Sequence, residues 1–473
     1  MAPRSAPSRP GRSAFEDPIL VERYDGWFDR YPAVVAAELE AIRQLLPPHG
    51  RRVEVGVGTG RFASALGIRH GVDPSAAMRR LALRRGVEAV DGVAERLPYG
   101  NASFDAVLMV TTDCFIDDLD AAFRETCRVL RPGGVAVVAL IDRDSPLGRL
   151  YQQQRESDPF LREARFRSVG EITAAMERAG LVDFAFRQTL FRFPDQVTDD
   201  EPVREGHGEG SFVVVRGRKP LASLPLPGPL AAVRLRRRLN RFAIEVETAG
   251  AGAPGDDRLV LHLPNSGRME ELLQPGAEGR ARLLPVPGRR TAGDLLLVRY
   301  AGRWVSVDAR MPNRLFAACL EAASLPPFAG YQRWQSEVRW GAGRIDFLLR
   351  RGVSPGASHP DPAGDGRPDL CLVETKSCNL VEEGVALFPD APTVRGARHL
   401  DELRQAVTEG HRAAVVWFVQ RDDASVLRPH RRADPAFARA LAEAVAGGVE
   451  AYAYRCLVTP DAIHVLEPIP VEP

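Results

Sequence analysis

"RRVEVGVGTGRFASAL", residues 51–66, decides the fold of the first half of this 473-residue chain. A short apolar run ends in three glycines at alternate positions, Gly56, Gly58 and Gly60, and passes into a helix-forming segment. Glycines so spaced let the chain turn sharply and bring backbone N–H groups against a ligand. The N-terminus of the following helix adds a field that favours a carboxylate or phosphate. Gly58, Gly60 and Ala63 also fit the G-x-G-x-x-A form of a dinucleotide fingerprint, so the turn by itself leaves a nicotinamide cofactor open.

Outward from that turn the pattern narrows. Glu54 stands two residues before Gly56, at a strand end where an acid can receive a cationic amino group. Asp73, in "HGVDPS", closes the next strand-like run, where it can accept two ribose hydroxyls. "DGVAERLPYGNASFDAVLMVTT" then supplies an acidic loop with Asp91 and Glu95 and a third strand from Phe104-Asp105, and "CRVLRPGG" follows. Strand-like and helix-like segments alternate throughout, which predicts a doubly wound α/β domain: a parallel sheet with helices on both faces. The order closely resembles the class I S-adenosylmethionine-dependent methyltransferases of the small-molecule type, over residues 15–218. The resemblance implies S-adenosyl-L-methionine as cofactor. Glu54 and the loop Gly56, Gly58, Gly60 would hold its methionine part, Asp73 its ribose, and Ala94 and Glu95 would lie beside its adenine. A Rossmann-like domain without a ligand and a dehydrogenase are the alternatives.

Methyl transfer is a direct displacement, so the acceptor is poorly encoded in sequence. There is no Asn/Asp-Pro-Pro-aromatic tetrapeptide for an exocyclic amine of a base and no Pro-Cys pair for attack on cytosine. The expected acceptor is therefore a small molecule. Thr111, Asp113, Asp142 and Tyr151 follow strand ends, where doubly wound folds place substrates, and each reads first as a cap or loop residue rather than a catalyst.

The length suggests two or three domains. With a net charge of +1, no global field argues for a polyanionic partner, and any such surface must be local. The six cysteines show no CxxC or metal-ligand spacing and read as free thiols of a cytoplasmic protein. No stretch reaches the ~18 apolar residues of a membrane span. Residues 1–14, basic and rich in Pro and Ser, read as a disordered tail. A proline-rich seam, "KPLASLPLPGPL" at 219–230, reads as a linker. Beyond it, 231–310 holds short strands such as "RFAIEVE" and "DLLLVRY" with no long helix, which suggests a small barrel. From 311 to 473 helices return around "RIDFLLR", "LCLVETK" and "AAVVWFVQ". The segment 352–368 reads as a mobile insertion.

"CLVETKSCNL", residues 371–380, carries one of only two lysines in a chain with 63 Lys and Arg. Residues two apart share a strand face, so Glu374 and Lys376 point the same way. A partner strand carrying Asp346 would bring two carboxylates together, a set that suits Mg²⁺ or Mn²⁺. Lysine is a compact ammonium that can position or activate water, which arginine does poorly. D…E-x-K resembles the PD-(D/E)xK nuclease-like core, where two acids bind metal and the lysine assists attack on a phosphodiester. A structural ionic network of the same three residues is the alternative.

"LNRF", "LPNSGRM", "MPNRL", "RIDFLL", "VETKSCNLVEEGVALFPDAPTVRGARHLDEL" and "GHRAAVVWFVQR" together resemble the sugar fermentation stimulation protein (SfsA) family over 225–473. That resemblance implies an OB-like barrel followed by a nuclease-like domain, DNA as partner, and a metal site at Asp346 and Glu374 with Lys376. In "VRLRRRLNRF" the arginines, Arg236, Arg237 and Arg241 among them, can track a phosphate backbone or simply face solvent. Asn265, Ser266, Arg268, Asn313 and Arg314 can contact nucleotides or serve as turn and capping residues. Trp304, Tyr331 and Trp334 are the aromatic candidates for stacking on bases.

Overall fold

Several helices in this chain begin where the sequence supplies an acceptor for orphan N–H groups. Asp17, Ser75, Asp118, Ser145 and Ser168 each cap a helix N-terminus through their side chains. The structure, a computed structural model, describes residues 14–248, 258–284, 287–341, 343–352 and 369–473. The expected tail, up to residue 13, and the insertion from 353 lie outside the described residues. Ala14, counted with the tail in the sequence, is buried in a short 3-10 turn. Two units divide the chain, Met1–Pro220 and Leu221–Pro473.

The first unit opens with α1 (Pro18–Arg30) and α2 (Pro32–Arg43). There follow β1 (Arg52–Val55), α3 (Arg61–Ala65), β2 (His70–Val72), α4 (Ala76–Arg84), β3 (Glu88–Val90) and β4 (Phe104–Val110). Next come α5 (Leu119–Val129), β5 (Leu130–Ile141), α6 (Pro146–Gln153), α7 (Val169–Arg178), β6 (Val182–Thr189), β7 (Arg204–Glu205) and β8 (Phe212–Arg218). The strand order is β3-β2-β1-β4-β5-β8-β6-β7. β1 to β5 pair in parallel, as the alternation predicts. The sheet is not parallel throughout: β8 runs antiparallel to both β5 and β6. The chain enters β8 from β6 and β7 by a turn rather than a crossover helix, and an antiparallel neighbour needs none. Apolar clusters cover the sheet on both faces.

The second unit starts with β9 (Ala222–Pro225), then β10 (Ala231–Asn240), β11 (Ala243–Thr248), β12 (Arg258–His262), β13 (Glu278–Leu283), β14 (Gly293–Tyr300) and β15 (Arg303–Ser306). β10 to β14 form a barrel: β10 pairs with β11 and β13, β11 with β12, β13 with β14, and a parallel His262–Asp294 contact closes β12 on β14. α8 (Met311–Glu321), β16 (Tyr331–Trp340), β17 (Gly343–Arg351), β18 (Leu370–Cys378), β19 (Val381–Glu382), β20 (Val385–Phe388) and α9 (Val394–Thr408) come next. β21 (Arg412–Val419), β22 (Val426–Pro429), α10 (Pro435–Ala446), β23 (Glu450–Val458) and β24 (Ala462–Ile469) complete it. A seven-stranded sheet, β16-β17-β18-β21-β23-β24-β9, packs α8 residues Leu315, Phe316 and Cys319 on one face. The other face carries α9 and α10 through Leu400, Leu403, Phe437 and Leu441.

The linker expected at 219–230 is a correction. Lys219 belongs to the first unit, where its ammonium donates to the carbonyls of Cys127 and Leu130 at 2.7 and 2.8 Å. Ala222–Pro225 is an edge strand on β24 in the second unit, with Leu221, Ala222 and Leu226 buried. Proline cannot donate to a ladder, which confines such a segment to a sheet edge without preventing it from pairing there.

Candidate functional site

Glu54 and Asp73 stand at the C-terminal ends of β1 and β2, adjacent parallel strands. Gly56 has φ +72°, and a Cβ there would lie 2.3 Å from the Thr112 side chain after β4. Gly60, at φ +81°, would place a Cβ 2.9 Å from the Ala82 backbone on α4. These positions admit glycine alone, while at Gly58 a Cβ would meet nothing within 4 Å, so space stays open over the loop. Asp73 accepts the Gly58 and Ser75 amides, both at 2.8 Å, which ties the loop to β2. A carboxylate has about four acceptor positions, so two amides leave room for a ribose.

Glu54 is buried, and its Oε2 finds no hydrogen-bond partner. Burial pushes its carboxyl well above the ordinary range, against one bond from the Ala63 amide, and the Asp73 charge adds to the rise. Burial also raises Asp73, with the Ser75 and Gly58 amides opposing. An acid so placed fits a cationic amino group arriving with a cofactor, which is the chemistry of the methionine moiety. Ala94 is buried, and Glu95 accepts the Asp117 amide at 3.0 Å, holding the following loop. Arg61, at the start of α3, binds Asp25 and Asp29 of α1 at 2.9 and 2.7 Å. Helix α1 is thereby fastened to the glycine turn.

In the second unit Glu374 and Lys376 share a face of β18, and their side chains meet at 2.5 Å. β17 pairs antiparallel with β18 through Phe347↔Val373, and one step further along that register sets Asp346 opposite Glu374. Asp346 accepts the Thr375 amide at 2.8 Å and its hydroxyl at 3.0 Å, and Asn313 of α8 accepts the same hydroxyl at 2.7 Å. Sequence reasoning missed His399: buried on α9, its Nδ1 contacts Glu374 Oε1 and lies 3.3 Å from Lys376 Nζ. Its signal was a histidine on the apolar stripe Gly396, Leu400, Leu403, Ala406 of α9.

Burial and the Glu374 charge raise the Asp346 carboxyl. Burial also pushes Glu374 up, but His399 and Lys376 outweigh it and hold that carboxyl below its ordinary value. Glu374 Oε2 remains buried without a hydrogen-bond partner. Two carboxylates with one unused buried oxygen fit a divalent cation. Among the described residues no group of three or more His, Cys, Asp or Glu is arranged to hold one.

Of the nucleic-acid candidates, Arg236 pairs with Glu247 at 3.1 Å and Arg237 with Glu245 at 2.7 Å across β10 and β11, so acids already answer these two. Asn265 caps its own turn by accepting the Gly267 amide at 2.9 Å. Arg241, Arg268 and Arg314 are exposed. Tyr331 is buried, which removes it as a stacking candidate, and Arg280 lies 4.8 Å over the Trp304 ring. The exposed aromatic that the sequence reading passed over is Phe242, at the β10–β11 turn beside Arg241.

Family models match three stretches: a methyltransferase domain over 53–138, an SfsA N-terminal OB domain over 237–307, and a sugar fermentation stimulation protein RE domain over 310–462. A sugar fermentation stimulation protein homolog of Moorella thermoacetica is 44% identical over 250 residues, 52% of this chain and 98% of that protein. The chain belongs to the sugar fermentation stimulation protein family. A homolog in Chloroflexus aurantiacus is 40% identical over 267 residues, 56% of this chain and 93% of its own. The SfsA protein of Pyrococcus furiosus, solved in complex with Ca²⁺, is 29% identical over 52% of this chain and 97% of its own, with a TM-score of 0.45. These SfsA relatives account for about half of the chain.

The first unit is a separate resource. A methyltransferase of Thermotoga maritima, described as S-adenosylmethionine-dependent and as a possible histamine N-methyltransferase, is 46% identical over 43% of this chain and 97% of its own, with a TM-score of 0.42. By the family models it matches, the chain is a fusion of a methyltransferase domain with an SfsA module. Among the described residues no helix is long and apolar enough to cross a membrane.

Proposed function

We propose that residues 15–218 methylate a small molecule and that residues 231–473 bind nucleic acid and cut its phosphodiester backbone with Mg²⁺ or Mn²⁺. When bound, S-adenosylmethionine supplies an electrophilic methyl group. Glu54 holds the amino group of its methionine part, the loop from Gly56 to Gly60 lies against that part, Asp73 takes the ribose hydroxyls, and Ala94-Glu95 flank the adenine. Alignment is the protein's main contribution to such a displacement.

In the second unit a divalent ion would neutralise charge on a phosphoryl oxygen. Asp346 and Glu374 offer it carboxylate oxygens, and Lys376, fixed by Glu374, positions or activates water. One observation carries this reading: Glu374 Oε2, buried beside Asp346 and without a partner. Lys376 and His399 answer Oε1 of the same carboxylate, and the lone pairs of Oε2 stay unused, the kind of oxygen donor a divalent cation takes. The test incubates the full chain with single- and double-stranded DNA and RNA, with Mg²⁺ or Mn²⁺ or with chelator. Metal-dependent cleavage lost in Glu374→Gln and in Lys376→Ala is the expected result, and cleavage that survives both contradicts it.

A non-catalytic DNA-binding module is the second reading. Glu374 Oε1 is already engaged by Lys376 and His399, which favours a closed ionic network. Binding that falls steeply with salt and ignores both substitutions would select it.

A further inference from the structure

His399 is 3% exposed on the inward stripe of α9, and both nitrogens of its ring have a partner. Nδ1 contacts Glu374 Oε1 on β18. Nε2 lies 3.3 Å from Nε of Arg395, four residues earlier on the same helix. A guanidinium can only donate, so Nε2 accepts and carries no proton. The proton of the ring is then on Nδ1, where it points at the Glu374 carboxylate. The other two forms of an imidazole fail here. An Nε2–H tautomer sets N–H against N–H at Arg395 and a lone pair against the carboxylate. A doubly protonated ring keeps the first of those conflicts. The partner of one ring nitrogen thus decides the proton on the other. Among the described residues no acid pairs with Arg395, so nothing draws its guanidinium away from the ring.

The consequence falls on Glu374. Its Oε1 receives two donors, the Nδ1–H of His399 and the Lys376 ammonium at 2.5 Å. Both arrive at the same oxygen, so the carboxylate cannot turn without losing both, and Oε2 is left without a partner. Lys376 Nζ also lies 3.3 Å from His399 Nδ1. With the proton on Nδ1 that approach is no hydrogen bond, and the ammonium keeps N–H bonds for water beyond the one Glu374 takes. We propose that Arg395 and His399 are positioning residues of the second unit. Arg395 holds His399 as the neutral Nδ1–H tautomer, and His399 with Lys376 fixes Glu374 so that Oε2 alone is presented to a divalent cation. For the cation the inference rests on the metal reading of that site; for the tautomer it does not. Neither residue touches the reacting atoms.

The experiment uses the full chain and the variants His399→Asn, His399→Leu and Arg395→Leu. Mn²⁺ affinity is read by electron paramagnetic resonance, folding of the second unit by thermal melts, and the tautomer by nitrogen NMR of isotope-labelled histidines without metal. His399 is one of nine histidines, so its ring signals are those that vanish in His399→Asn. The expected spectrum of the parent is a neutral ring with its proton on Nδ1, and Arg395→Leu should lose that single form. An Asn amide N–H can stand where Nδ1–H stands, whereas Leu fills the space without a donor. His399→Leu should therefore weaken Mn²⁺ binding by ~10-fold or more, the usual range for a residue that orients a metal ligand, with His399→Asn within about threefold of the parent. A packing role alone predicts the reverse order, because Leu suits an apolar stripe better than Asn. An Nε2–H or doubly protonated ring in the parent overturns the proposal, as does parental Mn²⁺ affinity in His399→Leu. Folded Asn and Leu variants that bind Mn²⁺ equally weakly overturn it too. Arg395 is exposed, so Arg395→Leu keeps the test when a core variant unfolds, and an unchanged tautomer and Mn²⁺ affinity there remove its role. A parent chain that takes no Mn²⁺ overturns the metal reading itself, and the spectrum then decides the tautomer alone.

Discussion

A methyl group added at Gly56 would press on Thr112 at 2.3 Å and force a side chain into left-handed backbone. Gly56→Ala is therefore expected to weaken S-adenosylhomocysteine binding by at least ~10-fold, roughly 1.4 kcal/mol, measurable by titration calorimetry. Glu38, the one charged residue on the buried stripe of α2, supplies a pH prediction. Its folded carboxyl lies above the ordinary value, so the stability tied to it is full below the ordinary carboxylate range and is lost as pH rises toward about 8. Glu38→Gln should stabilise the ligand-free first unit at about pH 8 and change little near pH ~4, by about 1.4 kcal/mol per pH unit across the interval. Thermal melts of parent and variant at both ends check it. A slope should persist in the variant, because burial raises Glu54 in the same direction.

The glycine turn, Asp73 and the Glu374–Lys376 pair were legible because each depends on short-range spacing. His399 was not, since its partner Glu374 lies 25 residues away on another element. Glu38 was hidden for a simpler reason: an acid on an otherwise apolar helical stripe reads as a solvated break in the pattern, and only the packed neighbours show that it is inside.

Among elements, α9 has the most to position. Thr393 accepts the Gly396 amide at 2.9 Å, and its own amide donates to Asp434 at 2.8 Å, which fixes where the helix starts and so where His399 lies. Thr393→Ala should cost about 1 kcal/mol of second-unit stability, read as a lower urea midpoint with unchanged slope. Strand β9 shows how an element escapes a sequence reading. Its prolines argued for a linker, yet Leu221 and Leu226 bury and an edge strand needs donors on one side only. Strand β8 was legible as a strand but not in direction, since its apolar run, Phe212–Arg218, serves a parallel or an antiparallel neighbour equally well.

At the scale of the molecule, each unit has its own buried clusters and its own acids with an unused oxygen, Glu54 in one and Glu374 in the other. The seam was legible to within a few residues from composition, while its pairing was not. Ligands that bind one folded unit stabilise that unit by mass action, about 2.7 kcal/mol at a hundredfold excess over Kd. Scanning calorimetry of the full chain therefore tests the two-site account most directly. S-adenosylhomocysteine should raise one transition and leave the other, Mn²⁺ should raise the other, and Glu374→Gln should abolish only the metal effect. A chain in which neither ligand moves a transition, or in which Glu374→Gln leaves the Mn²⁺ shift intact, would contradict it.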